Sequence, residues 1–215
     1  MSVVTDIFDY LSGNYAAKKK RKSFFNALER IDQDIEKIKG QLVPSPPEEL
    51  DLISAKIDII RKSWLKYGRS LRMYNIYNEE LFCAVVEREK QAYNEFIYFV
   101  RGLPNSYYYW LQEDKVELWI DQTQLGWLLM DGRLMSSKSG KLLALLKYDP
   151  DHNEVMIFLD GKNKASFKLR TKTKKTTERF FSMVHPANRA EALIIESIGL
   201  FFLVRDKDEF KFKLS

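Results

Sequence analysis

Between Phe24 and Leu42 the apolar residues Phe24, Leu28, Ile31, Ile35, Ile38 and Leu42 recur at alternating steps of four and three. That spacing puts all of them on one stripe of an α-helix, which must then be buried against another element. After VPSPPEE (Val43 to Glu49), which no helix can cross, the rhythm resumes with Leu50, Ile53, Ile57, Ile60, Trp64, Tyr67, Leu71 and Tyr74. Ser45 and Glu48 have capping-box spacing, and Pro46 or Pro47 suits a first helical turn. At ~1.5 Å per residue, helices over Lys18 to Leu42 and Glu48 to Tyr77 would be ~37 Å and ~45 Å long. Two heptad helices joined by a short break predict an antiparallel hairpin. Asn78 can cap a further helix over Glu79 to Val100, closed by Gly102 and Pro104. A short amphipathic element, with Val3, Val4, Ile7, Phe8 and Leu11 in helical spacing, precedes them.

Beyond Pro104 the pattern changes. NSYYYWLQEDK (Asn105 to Lys115) is an aromatic-rich junction, and VELWI, LGWLLM, KLLALLKY and EVMIFL follow as short β-rich runs. Asp160-Gly161-Lys162-Asn163 carries a hairpin signal. Pro186 opens a helix that Gly199 would end after Ser197, and LFFLV and EFKFKL would form a last hairpin around Arg205 to Asp208. Helices first and strands later predict an α+β protein. The expected domains are a helical hairpin or three-helix bundle over 1–104 and a mostly antiparallel sheet with one or two helices over 105–215.

Several chemistries lack their residues. The chain of 215 residues has one cysteine, Cys83, and two histidines, His152 and His185, far apart in sequence. Neither a structural zinc site nor an internal disulfide follows, and a cytoplasmic setting is expected. The longest apolar run, Leu193 to Val204, is too short and broken to span a bilayer. Phosphate-loop, dinucleotide and nucleophile-elbow motifs are missing, and no cofactor is expected. Pro150-Asp151 with Asp160-Gly161-Lys162 resembles a nuclease pattern. A single strand between the halves, however, would hold the two carboxylates ~30 Å apart at ~3.3 Å per residue. Asp121, Asp131 and Asp149 leave a carboxylate-based, metal-dependent enzyme as a second alternative.

Charge gives the strongest functional signal. From Lys162 to Arg179 there are eight cations and one anion, a local excess of seven against +5 for the whole chain. As a strand, ASFKLRTKTKK aligns Ser166, Lys168, Arg170, Lys172 and Lys174 on one face and Ala165, Phe167, Leu169 and Thr171 on the other. Lys162, Lys164, Lys168, Arg170, Lys172, Lys174 and Lys175 are therefore candidate anion-binding residues, with Lys18, Lys19, Lys20, Arg21 and Lys22 as a second basic cluster. At ~6.6–7 Å between alternate residues the face suits DNA or RNA phosphates, read with weak sequence preference. The competing reading is a solvated edge strand protected by lysines. Lys62, Lys66 and Arg69 would share one helix face and serve a partner or a homodimer. The sequence thus predicts a non-enzymatic binding or assembly protein. A protein-only interaction module, such as an inhibitor, adaptor or chaperone, is the alternative.

Overall fold

In the computed structural model, residues 14–38, 40–63, 68–88, 95–169, 178–205 and 212–214 are described. Their dominant feature is a single antiparallel sheet of twelve strands, each paired with the next in sequence. The strands are β1 (Ile53–Ser63), β2 (Gly68–Asn75), β3 (Glu80–Arg88), β4 (Phe96–Arg101), β5 (Ser106–Leu111), β6 (Lys115–Ile120), β7 (Thr123–Leu129), β8 (Arg133–Ser136), β9 (Leu142–Asp149), β10 (Glu154–Leu159), β11 (Lys162–Lys168) and β12 (Phe181–Val184). The two ends of the meander meet. Ser54 bridges Arg179, Ala55 N donates to Glu178 O at 2.8 Å, and Phe180 N donates to Ile53 O at 2.7 Å. Curling the sheet until the start of its first strand reaches the approach to its last brings it near a closed barrel and covers part of the edge that a flat twelve-stranded sheet would offer.

The interior is filled by the chain itself. One helix, α2 (Arg189–Val204), contributes Ile195, Ile198, Leu200, Phe201, Phe202 and Leu203 to the same buried cluster as the inward residues of the strands. Its neighbours lie all round it. Phe201 meets Tyr98 of β4 and Tyr109 of β5, Phe202 meets Phe167 of β11, and Gly199 lies against Phe181 of β12. Tyr109 Oη donates to Ser197 O at 2.8 Å, and Arg69 Nη2 of β2 donates to Val204 O at 2.7 Å, which satisfies a carbonyl at the helix end. Beyond the helix, Phe212 stacks on Phe202 with centroids 4.9 Å apart, and Lys213 N donates to Met130 O at 2.8 Å.

A second helix, α1 (Asn14–Ile38), packs on the outside. Phe24, Ala27, Ile31 and Ile35 are buried with Val85 of β3, Ile97 and Phe99 of β4, and Trp110 of β5. The predicted apolar stripe holds from Phe24 to Ile35, while Leu42 lies beyond the helix end, and the stripe's partner is the outer face of the sheet rather than a second helix.

That packing explains why the predicted α+β fold is corrected. The described residues contain neither a helical hairpin nor a three-helix bundle, and no coiled coil. The expected third helix is a 3₁₀ turn (Pro47–Leu52) followed by β1 and β2, and the expected fourth is β3 and β4. In β2, Leu71, Met73 and Asn75 alternate inward, so period two and period three-to-four coincide over a short window. The run LFCAVV of β3 is apolar on both faces because one faces α2 and the other faces α1, and alternation disappears. The final predicted hairpin fails for the mirror reason. LFFLV belongs to α2, a helix buried on all sides, and such a helix shows no amphipathic period and resembles a buried strand. Gly199 does not end α2 but allows close approach, since a Cβ there would lie 2.4 Å from Phe181 Cζ. The β10–β11 hairpin stands where the sequence places it, with Asp160 (φ 49°) and Gly161 (φ 75°) both in the left-handed region that a type I′ turn needs. The sheet also runs through the boundary expected at residue 104, because β4 and β5 pair across it from Phe96–Leu111 to Arg101–Ser106.

Candidate functional site: a groove between the outer helix and the sheet

The described part of the basic strand is not an edge. β11 lies between β10 and β12; Ala165 and Phe167 are fully buried and Lys168 is exposed as expected, but Ser166, expected on the cation face, is buried as well. Two of its cations face carboxylates. Lys164 Nζ lies 3.0 Å from Glu191 Oε2, and Lys168 stands opposite Glu154 in the strand register. The N-terminus of α2 beside Lys164 is similarly satisfied from within. Asn188 Oδ1 accepts from Glu191 N at 2.9 Å, and Glu191 Oε2 accepts from Ala187 N at 2.7 Å. These contacts hold the Glu191 carboxyl below its ordinary range, with the Ala187 amide as the main cause and Lys164 as a further one. Lys162 is exposed in the same strand. Arg170, Lys172, Lys174 and Lys175 lie outside the described residues, as does Lys66. Lys18, Lys19, Lys20, Arg21 and Lys22 all lie in α1, where Arg21 and Lys22 are exposed. Lys62 lies in β1 and Arg69 in β2, so the helix face expected to carry them does not exist. Arg69 ties β2 to the interior helix instead.

The carboxylates considered for catalysis serve separate turns. Asp121 Oδ1, in the β6–β7 turn, accepts from Ser106 N at 2.9 Å. Asp131, before β8, pairs with Arg133 at 2.7 Å, and Asp149, at the end of β9, pairs with His152 at 2.8 Å. Among the described residues no three His, Cys, Asp or Glu side chains are grouped to hold a metal ion. Asp151 and Asp160 sit in turns at opposite ends of β10. His185 N donates to Lys164 O, and the helix cap is Asn188.

Two clefts open on the surface. One, of about 450 Å³, lies between the 3₁₀ turn and the start of α2 and is lined by Glu48, Asp51, His185, Asn188 and Arg189 among others. Asp51 there is already paired with Arg179 at 2.9 Å. The other, of about 410 Å³, lies between α1 and the sheet and combines rings with carboxylates: Phe25, Leu28, Glu29, Asp32, Tyr108, Trp119, Asp121 and Gln122.

The second groove follows from how α1 docks. Phe24 points into the contact and stacks on Trp110 at 5.0 Å and 12°. Phe25, one residue on, falls off the buried stripe and stays 45% exposed, with its ring edge-on to Trp119 at 5.8 Å and 86°. Leu28, Glu29 and Asp32 continue that flank at three- and four-residue steps from Phe25. From the sheet side, Tyr108 points outward because Tyr107 and Tyr109 point in, and it stacks on Phe99 at 4.6 Å. Arg101 engages the groove's Asp32 from outside its lining. It donates to Asp32 and, at 3.2 Å, to Glu36, and its guanidinium lies 5.3 Å from the Phe99 ring centre. The Tyr108 phenol is pushed above its ordinary pKa by burial, with Arg101 opposing and the charges of Asp32 and Asp121 adding to the rise. Trp119 Nε1 is buried with no hydrogen-bond partner among the described residues.

No protein-family model matches the chain, and no curated protein or solved structure matches it. Sequence reasoning missed this groove, taking Asp121 only as one of the scattered carboxylates of an alternative enzyme reading. The signals that could have found it are the adjacent pair Phe24-Phe25, which cannot share one buried stripe, and SYYYWL, whose aromatics occupy both faces of a strand.

Proposed function

We propose that this protein is a protein-interaction module that engages a partner on its outer surface, at the groove between α1 and β5–β6. The observation that carries this reading is the filled interior. A small-molecule binding barrel keeps its lumen for the ligand, whereas here α2 occupies that space with side chains down to 0% exposure. Recognition then falls to the outside, where an exposed phenylalanine, a tyrosine and a tryptophan frame an open groove. Aromatic anchors of this kind dominate the energetics of protein contacts. A cytoplasmic setting is part of the proposal. The chain has one cysteine, Cys83, which is buried and free, so it carries no internal disulfide, as fits a reducing compartment.

Selection of a displayed random-peptide library on the immobilised protein tests the reading, with Phe25→Ala as the parallel target. The proposal expects peptides that bind the parent and lose binding to the variant. Peptides that bind both equally would move the interaction elsewhere, and a library that yields no binder to the parent would count against an interaction module altogether.

A further inference from the structure

The groove has a charge opposite to that of the chain that carries it. The protein has a formal net charge of +5, yet the charged residues lining this groove are Glu29, Asp32 and Asp121, and none is a cation. Asp32 is engaged by Arg101, which is not itself a lining residue, so one lining charge is matched and two remain in excess. Glu29 and Asp121 are exposed, and the rings of Phe25, Tyr108 and Trp119 line the same groove. A neutral apolar partner would strip water from these carboxylates and return nothing. An anionic partner would meet them with like charge. A cation gains twice, from the carboxylates and from the negative faces of the rings. The protein already uses this combination next to the groove, where Arg101 pairs with Asp32 and Glu36 and lies over the Phe99 ring.

Resting on the interaction-module reading, we propose that the group held in this groove is the guanidinium or ammonium end of a basic side chain on the partner protein. Phe25 and Trp119 supply ring faces, Glu29 and Asp121 supply charge, and Tyr108 supplies a phenol. A guanidinium fits the site best, because its planar fork can stack on a ring while donating to a carboxylate.

The test is a titration of the ¹⁵N-labelled protein, following the indole N–H signal of Trp119, which the Trp119→Phe variant identifies. N-acetyl-arginine amide is the cationic probe, N-acetyl-norleucine amide the neutral one and N-acetyl-glutamate amide the anionic one. The arginine probe is expected to move the Trp119 signal saturably, and more weakly as salt rises, because exposed charges are screened. Phe25→Ala is expected to weaken it about fivefold, in line with the loss of one ring face. Glu29→Gln, an exposed position where folding is not at stake, is expected to weaken it about two- to fivefold. Equal response to arginine and norleucine would overturn the cation assignment while leaving the interaction-module reading intact. A stronger response to glutamate, or no movement of the Trp119 signal with any probe, would overturn the assignment as well. Whether a partner binds at all is decided separately, by the peptide selection.

Discussion

The barrel interior contains one carboxylate that should make the fold sensitive to pH in an unusual direction. Glu196 of α2 is 2% exposed and accepts a hydrogen bond from Tyr107 Oη at 2.5 Å. Burial pushes its carboxyl up from 4.5 to about 7, with the Tyr107 hydrogen bond opposing the rise. Because the folded state holds this proton more tightly than the unfolded chain, the group contributes its full stability below about pH 4.5. That stability is lost as pH rises through about 7. At ~1.4 kcal/mol per pH unit, the gap amounts to about 3 kcal/mol. Most of it, about 2–3 kcal/mol, should disappear between about pH 5 and about pH 8. Glu196→Gln keeps an oxygen for Tyr107 and cannot ionise, so it should lack this dependence. Denaturant unfolding of both proteins across that range isolates the effect as the difference between them. The exposed His152–Asp149 pair, whose histidine is raised by its hydrogen bond to Asp149, titrates in both proteins and cancels. A parent-minus-variant difference that stays constant, or that moves in the parent's favour as pH rises, would refute the reasoning.

Three further outcomes follow from packing. Gly199→Ala should destabilise by ~1–3 kcal/mol despite the better helix propensity of alanine, because the added methyl overlaps the Phe181 ring inside a filled core; melting temperature is the readout. Ile31→Ala removes a fully buried side chain from the contact between α1 and the sheet and should cost ~2–5 kcal/mol in denaturant unfolding. Trp119→Phe should cost under ~1.5 kcal/mol, since the indole N–H it removes has no described partner, and the same unfolding assay measures it.

Parts of this fold were legible in the sequence for simple reasons. The β10–β11 hairpin announces itself through Asp160-Gly161, because few residues accept positive φ. The stripe from Phe24 to Ile35 is a true helix face, since only one side of α1 is buried. What could not be read is what each apolar surface meets. β3 and β5 are covered on both faces and lose the alternation that marks a strand, while α2 is covered all round and loses the period that marks an amphipathic helix. The basic segment was legible as a strand over its described residues but not in its environment, and Ser166, expected beside the exposed cations, is buried. Glu191 and Glu154, which face Lys164 and Lys168, come from a helix and a neighbouring strand and are invisible to local charge counting. The groove was hidden for the same reason, because Phe25 and Trp119 are far apart in sequence and meet only when α1 docks.

The central claim is that the chain fills its own barrel and leaves recognition to the outside. Amide-resolved hydrogen exchange tests it most directly. If α2 is the interior plug, the amides of Ile195 to Leu203 should exchange only through global unfolding, as slowly as the best-protected strand amides such as those of Val100 and Tyr109. Exchange of that helix well ahead of the strands would mean that α2 leaves the barrel without unfolding it. The interior, not the outer groove, would then be where a ligand should be sought.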